Sequence, residues 1–158
     1  MSPRASALAR AAAVMGVVVA LDQVTKQVAL SRLYPGEAVN VFFAIDLNLV
    51  RNRGVAFGVA SEGGVLIIVL IAAALVLLGA YFLRHATRPG MWLPIGAIFG
   101  GALGNLADRA REGSVIDFVD PAFWPAFNLA DSAIVLGVLG LLYVLEPDPS
   151  PAGRPEPG

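Results

Sequence analysis

The sequence predicts a mainly α-helical integral membrane protein that carries a small β-sheet. Of its 158 residues, 57% are hydrophobic and 15% are charged, and the mean hydropathy is +0.73. Soluble domains carry about a quarter charged residues. Four apolar segments approach the roughly 20 residues with which a helix crosses a bilayer. A further segment, 39–49, alternates apolar with mostly smaller or polar side chains, and this period of two favours β-strand.

The boundaries follow from these patterns. We predict transmembrane helices at about 7–30, 64–83, 91–109 and 128–145, and a β-rich region at the membrane surface at about 37–60. Arg4 and Arg10 before the first apolar run also fit a cleaved signal peptide, but no small-residue cleavage site follows, so a retained helix is preferred. Residues 1–145 form one predicted membrane-embedded domain. The Pro-rich segment 146–158 is predicted to be a disordered cytoplasmic tail.

Composition also excludes several classes of function. The net charge of −1 gives no basic surface, so we expect no nucleic-acid partner. The chain has no cysteine, which excludes disulfides, thiol catalysis and thiolate metal sites. Its single histidine, His85, lies among basic residues, which argues against a Ser-His-Asp triad or a multi-histidine metal site. We expect no metal and no organic cofactor.

The charges of the loops give a weak indication of orientation. One side of the predicted bundle carries Arg4, Arg10, Arg84 and Arg88, whereas the other carries arginines together with six acidic residues. Cytoplasmic loops are enriched in Lys and Arg. We therefore place the first side, and with it both termini, in the cytoplasm.

If the chain crosses the membrane four times, its polar clusters lie at the same face of the membrane. This is the outer face, opposite the cytoplasmic side. Ionisable residues inside a membrane indicate a functional site. The clusters come from the end of the first helix, the following loop, the end of the third helix and the start of the fourth, and they contain Asp22, Lys26, Asn52, Arg53, Asn105, Asp108, Arg109, Asn128 and Asp131.

Several of these residues also have purely structural interpretations. Asp22 and Lys26 are four residues apart on one helical face, so they are either a neutralising pair or a substrate contact. Asp108 is expected to form an interfacial pair with Arg109, which is equally a candidate for orienting the site. A stripe of small residues is expected to serve close helix packing, and it consists of Gly96, Gly100 and Gly104.

The acids near the fourth helix differ in what explains them. Asn128 is a favoured N-cap residue, but capping explains Asp131 less well, because it lies three residues further into the helix. Asp117 lies in the preceding loop, where it is either solvated or functional, and Asp120 before a proline is expected in a turn. With no cysteine and no available histidine, two carboxyl groups sharing one proton are the best candidates for general acid and base.

The motifs resemble those of the lipoprotein signal peptidases, or signal peptidase II. The matching stretches occur in chain order across about residues 15–145, and they are "LDQVTK" (21–26), "NRGVAFG" (52–58), "GGALGNLADR" (100–109), "VIDF" (115–118) and "FNLADSAI" (127–134). The family are aspartic proteases of the bacterial inner membrane that cleave the signal peptide of a prolipoprotein before its diacylglyceryl-modified cysteine. Their fold has four transmembrane helices with a periplasmic β-sheet cradle and a short periplasmic helix.

The resemblance implies roles for individual residues. The catalytic pair falls on Asp117 and Asp131, and the supporting or substrate-binding positions fall on Asp22, Lys26, Asn52, Arg53, Gly54, Asn105, Arg109 and Asn128. It also implies prolipoprotein substrates, membrane lipids and globomycin-type inhibitors as partners, with the active site near the periplasmic face. The stretch 118–127 between the aspartates is expected to form a lid on the membrane surface.

Two other classes of function remain as alternatives. A small proton- or ion-coupled transporter would also use intramembrane aspartates, but it predicts polar residues along a whole path through the membrane. The second helix and the inner halves of the others hold almost none. A non-catalytic assembly subunit would reduce the acids to caps and pairs, and it does not explain why the clusters favour one face.

Overall fold

The computed structural model describes residues 1–54 and 63–146. The predicted sheet residues 55–60, including Gly58, and the predicted tail from residue 147 lie outside the described part. Four long helices and three strands make up this described part, in agreement with the predicted mainly helical class. In chain order they are α1 (Pro3–Arg32), β1 (Val39–Phe42), β2 (Ile45–Asn52), α2 (Gly63–His85), α3 (Trp92–Glu112), β3 (Val115–Pro121) and α4 (Leu129–Leu145).

Two of the described helices are long and apolar enough to cross a membrane. They are α1, with 30 residues, and the 18 residues Ile68–His85 of α2. Helix α4 is apolar but shorter, at 17 residues, and α3 ends in the charged stretch before Gly113. The predicted number of four crossings therefore stays a prediction.

Helix α3 packs closely between α1 and α4 because glycines line its contacts. A Cβ atom at Gly96 would lie 2.6 Å from the carbonyl oxygen of Ala11, and one at Gly100 would lie 2.7 Å from Cβ of Val18. On the side facing α4, a Cβ at Gly101 would collide with the carbonyl oxygen of Ala130. The predicted packing role of the small-residue stripe is confirmed.

The bundle has two chemically different ends. The start of α1, the end of α2, the start of α3 and the end of α4 share one end, which we call the arginine end after Arg4, Arg10, Arg84 and Arg88. Its core is apolar and consists of Ala7, Ala11, Phe82, Ala86, Met91 and Ile95. At the opposite end, which we call the polar end, the helices bury charged and amide side chains, and the sheet adjoins it.

The sheet is antiparallel, with strand order β1-β2-β3. Phe43, which has a positive φ of 44°, lies in the turn that divides the predicted strand 39–49 into β1 and β2. Strand β3 pairs with β2 so that Asp117 lies opposite Val50 and Pro121 lies opposite Ile45.

Two expectations for this region were wrong. We expected Asp117 and Asp120 in a loop and a turn, but both lie in β3, because "VIDFVDP" completes the sheet along β2. After Pro121 the chain turns and Phe127 bridges back to Val119. The described residues between β3 and α4 contain no helix, so the short helix implied by the resemblance is not found there. The tip of this segment exposes Phe123 and Trp124, as expected for a lid on a surface.

Candidate active site

A buried ionic cluster centred on Lys26 anchors the polar end. The Nζ atom of Lys26 lies 2.9 Å from Oδ2 of Asp22 and 2.7 Å from Oδ2 of Asp108, and it donates a 2.8 Å hydrogen bond to Oδ1 of Asn105. All four side chains are buried. The predicted Asp22–Lys26 pair is therefore confirmed as an ion pair.

The expected pairing of Asp108 with Arg109 was wrong. Asp108 points toward α1 and pairs with Lys26, because positions 96, 100, 104 and 108 follow one another at helical spacing along the face of α3 that contacts α1. Arg109 is the next residue in the sequence and therefore lies on a different face of α3. Its Nη1 lies 3.4 Å from the carbonyl oxygen of Asn105 in the same helix.

The two acids of the cluster also hold the main chain next to the candidate catalytic aspartates. Oδ1 of Asp22 accepts a 3.1 Å hydrogen bond from the N–H of Ala130, which precedes Asp131. Oδ2 of Asp108 accepts a 3.2 Å hydrogen bond from the N–H of Ile116, which precedes Asp117. The cluster therefore fixes the start of α4 and the strand β3 relative to α1 and α3.

Asn105 connects the cluster to Asp131. Its Oδ1 accepts from Lys26 and, at 3.1 Å, from the side-chain amide of Asn128, while its Nδ2 donates a 2.7 Å hydrogen bond to Oδ1 of Asp131. Because its oxygen is held by two donors, the amide can only present its N–H group toward the aspartate. Asn105 therefore orients one carboxylate of the predicted pair.

Asn128 connects the two aspartates. Its Nδ2 donates a 2.7 Å hydrogen bond to Oδ1 of Asp117, and its Oδ1 accepts from the N–H of Asp131 at 3.0 Å. In return, Oδ2 of Asp131 accepts from the N–H of Asn128 at 3.2 Å, which completes a capping box at the start of α4. The predicted cap is confirmed. Through it, Asp117 and Asp131 both form a hydrogen bond with the side chain of Asn128.

The two carboxyl groups differ in their surroundings. Asp117 is 1% exposed. Burial raises the pKa of the Asp117 carboxyl above its ordinary value of 3.8, and the charge of Asp131 adds to this, against the opposing effects of hydrogen bonds from Asn52 and Asn128 and of the Lys26 charge. Asp131 is only partly buried and lies in the first turn of α4, where the helix dipole favours a negative charge.

The predicted residues of the loop after β2 lie at the edge of the site. Asn52 hydrogen-bonds to Asp117 and also accepts from the N–H of Gly54 at 2.9 Å. Gly54 has a positive φ of 75°, which glycine adopts without steric cost. Arg53 is exposed. Within the described residues, neither Arg53 nor Arg109 forms a hydrogen bond or an ion pair with Asp117 or Asp131.

From the sequence, Gln23 was assigned no role and Asp120 was assigned the wrong one. Gln23 bridges the helices by donating to Asp108 at 3.0 Å and accepting from Arg111 at 2.9 Å, and its position beside Asp22 was the available signal. Asp120 accepts a 3.1 Å hydrogen bond from Asn48 across the β2–β3 pair, so it supports the sheet.

An apolar groove opens beside Asp131. Its volume is about 440 Å³, and it runs between the turn after β3 and the exposed face of α4. The residues that line it are Trp124, Phe127, Asp131, Ser132, Val135 and Leu136. The site thus combines a carboxyl pair with an adjacent surface suited to an apolar chain.

The fold and its pair of neighbouring carboxyl groups fit the class of helical, membrane-type aspartic peptidases, and the comparison with known families shows the same class. A family model described as "Signal peptidase (SPase) II" matches residues 14–145. The chain belongs to the signal peptidase II family, whose members remove signal peptides from prolipoproteins, and it is an aspartic-type signal peptidase. This membership favours the peptidase over the transporter alternative.

Individual relatives agree with this membership. The chain is 41% identical over 131 residues to the lipoprotein signal peptidase of Moorella thermoacetica, with 82% of this chain and 87% of the relative covered. It is 45% identical over 139 residues to that of Azoarcus sp., with 83% and 77% covered. For the lipoprotein signal peptidase of Pelotomaculum thermopropionicum the identity is 39% over 148 residues, with 90% and 95% covered.

Solved structures share the fold. Two structures described as a bacterial membrane enzyme, determined by the in meso method at 1.9 and 2.3 Å resolution, each superpose with a TM-score of 0.79 at 30% identity. The first covers 85% of this chain and 91% of its own, and the second covers 94% of both. Together with the apolar helices, this likeness supports a membrane-embedded enzyme.

Proposed function

We propose that Asp117 and Asp131 form the catalytic pair of this signal peptidase and that they share one proton, held on Asp117. The observation that carries this proposal is the attachment of both carboxyl groups to Asn128, with Asp117 buried and Asp131 at a helix N-terminus. Two neighbouring carboxyl groups do not both ionise easily, and the buried member is the one that keeps the proton.

In this mechanism the ionised Asp131 removes a proton from water as the water oxygen attacks the scissile carbonyl carbon. Asp117 donates a hydrogen bond, and then its proton, to the carbonyl oxygen as negative charge develops there. The C–N bond of the resulting tetrahedral intermediate breaks, and the departing amine takes the proton that Asp131 had received. As the C=O bond re-forms, a hydroxyl group of the intermediate returns its proton to Asp117, which restores the pair. The water oxygen ends in the new carboxyl group of the signal peptide.

The substrate is a prolipoprotein, and we propose cleavage before its diacylglyceryl-modified cysteine. The apolar groove beside Asp131 supports this choice, because it suits an extended apolar segment with its scissile bond near the carboxyl groups. The acyl chains of the modified cysteine stay in the bilayer, which suits a site at the boundary between lipid and water. Globomycin-type inhibitors are proposed to occupy the same groove.

The proposed placement is the bacterial inner membrane, with four crossings, both termini in the cytoplasm and the site near the periplasmic face. The four arginines gathered at the arginine end support the cytoplasmic assignment of that end. The sheet and the turn 122–127 that follows β3 then lie on the outer surface, where the exposed ring of Trp124 suits the interface.

The remaining polar residues are proposed to position the reacting groups. Asp22 and Lys26, through their cluster, hold the main chain beside the aspartates, while Asn105 and Asn128 orient the carboxyl groups. Asn52 and Gly54, at the end of β2, are proposed to contact the substrate backbone. Arg53 and Arg109, which have no hydrogen bond to either aspartate within the described residues, are proposed to do the same from the rim of the site.

A gel-shift assay on a lipid-modified prolipoprotein tests the function. Asp117→Asn and Asp131→Asn, made separately, are each expected to lower the cleavage rate by about 10²- to 10⁴-fold, the contribution of a general acid or base. The matched control is Asp120→Asn, which alters a third acid of the same segment and is expected to keep cleavage. Full cleavage by a folded Asp117→Asn or Asp131→Asn protein would overturn the pair. Inhibition of the unmodified protein by globomycin tests the proposed ligand independently.

A further inference from the structure

The arginine end of the bundle contains a second cavity, far along the helices from the aspartates. It has a volume of about 370 Å³ and lies between the start of α1 and the α2–α3 connection. Its floor includes the buried residues Ala7 and Ala86, which belong to the apolar core of this end. The cavity therefore borders the packed apolar core of this end.

The polar groups that line this cavity are donors. Ser6 and Arg10 come from α1, whereas Thr87 and Arg88 come from the α2–α3 connection. Within the described residues, neither guanidinium forms an ion pair, and no carboxylate lines the cavity. Glu146, at the C-cap of α4, is the acidic residue that the described chain brings to this end.

Trp92 completes the cavity and orients one of the arginines. The guanidinium carbon of Arg10 lies 5.8 Å from the centre of the Trp92 ring, in a cation–π contact. This contact places the guanidinium of Arg10 beside a ring that also lines the cavity. A guanidinium fork matches the oxygen atoms of a phosphate group in geometry as well as in charge.

We infer that this cavity binds the phosphate group of an anionic phospholipid. Two guanidinium groups and two hydroxyls with no lining carboxylate fit a phosphodiester. A lipid is favoured over free phosphate because Leu83 and Leu93, which flank the connection on α2 and α3, are about half exposed and offer an apolar surface for acyl chains. Basic pockets between transmembrane helices on the cytoplasmic side bind such headgroups.

The inference relies on the bundle lying in a membrane but not on the aspartate pair. It therefore predicts a lipid preference that survives Asp117→Asn, although that substitution is expected to lower the cleavage rate strongly. A protein that cleaves the substrate but shows no lipid preference would contradict only this inference. A protein that shows the lipid preference but does not depend on the aspartates for cleavage would contradict only the proposed function.

The experiment uses the fluorescence of Trp92 in the full-length protein carrying Trp124→Phe, which leaves Trp92 as its only tryptophan. The protein is placed in phosphatidylcholine vesicles of constant ionic strength, and brominated phosphatidylglycerol or brominated phosphatidylcholine is added as the quencher. The anionic lipid is expected to quench Trp92 at about one-tenth of the mole fraction that the zwitterionic lipid needs. Each variant is compared with its own unquenched fluorescence.

Two pairs of substitutions distinguish binding of the lipid in the cavity from general attraction of anionic lipid to the positive charge of this end. The double substitution Arg10→Gln with Arg88→Gln is expected to abolish the preference. The matched double substitution Arg4→Gln with Arg84→Gln removes the same charge from the same end, but from residues that do not line the cavity, and it is expected to keep the preference. An equal loss in both pairs, no preference in the unmodified protein, or complete competition by millimolar inorganic phosphate would each overturn the inference.

Discussion

The side-chain amide of Asn128 donates a 2.7 Å hydrogen bond to the carboxyl group of Asp117. The oxygen of the same amide caps α4 by accepting from the N–H of Asp131 at 3.0 Å. The main-chain N–H of Asn128 in turn donates to Oδ2 of Asp131. Asn128 thus contacts both carboxyl groups, and a structural motif of the helix start becomes part of the site. The contribution of Asn128 to the helix start and its contribution to the position of Asp117 can be separated by mutation.

Asn128→Ser is expected to keep the helix and lose the catalytic arrangement. A serine hydroxyl caps a helix about as well as asparagine, but it cannot replace the amide that reaches Asp117. We expect a cleavage rate at least about tenfold lower. We also expect a loss of about 1–3 kcal/mol in the free energy of unfolding, because the buried amide also donates to Asn105 and to the carbonyl oxygen of Ile116. Asn128→Ala, which loses both functions, should cost about 1 kcal/mol of stability in addition. Equal cleavage by the serine variant and the unmodified protein would contradict this role.

Lys26→Met is expected to destabilise the protein strongly. It leaves the buried carboxylates of Asp22 and Asp108 without their cation, and removing one partner of a buried ion pair costs about 3–5 kcal/mol. The measurement is the free energy of unfolding in detergent. The exposed ion pair Arg51–Glu112 provides the control, because Arg51→Met should cost no more than about 1 kcal/mol. Similar losses in the two variants would show that the cluster does not anchor the fold.

Gly104→Ala in α3 is expected to disturb the ionic cluster centred on Lys26. Its Cβ atom would collide with the carboxylate of Asp22, and overpacking of this kind costs about 1–3 kcal/mol. A Cβ atom at Gly16, in α1, meets no atom within 4 Å, so Gly16→Ala should be neutral or slightly stabilising. Thermal unfolding of the two variants tests the difference, and a neutral Gly104→Ala would mean that α1 and α3 are less closely packed than described.

The sequence was sufficient for the helices, the glycine packing and the convergence of polar residues, because apolar length and i, i+4 spacing report directly on helical faces. It was not sufficient for β3. "VIDFVDP" is a short stretch that becomes a strand only because β2 is available as a partner, and such pairing depends on tertiary context. For the same reason the burial of Asp117 was not apparent. The partner of Asp108 was misassigned because its neighbour in sequence, Arg109, lies on a different face of α3.

The raised pKa of Asp117 predicts that stability falls as the pH rises. Between the ordinary value of 3.8 and the raised pKa, the folded protein keeps a proton that the unfolded chain has released. The stabilisation is therefore complete below pH 3.8 and is lost as the pH rises through the folded-state pKa. Asp117→Asn removes this dependence, so the variant should be the more stable protein at neutral pH, and the difference should disappear in acid. Parallel unfolding curves of the two proteins against pH would contradict the prediction.

Infrared spectroscopy at neutral pH can determine whether the pair holds one proton and whether Asp117 carries it. We expect a carbonyl band of a protonated carboxyl group in the unmodified protein, its loss in Asp117→Asn, and its persistence in Asp131→Asn, because burial is the largest cause of the raised pKa of Asp117. A band that persists in Asp117→Asn and disappears in Asp131→Asn would place the proton on Asp131 and overturn the proposed roles of the two aspartates.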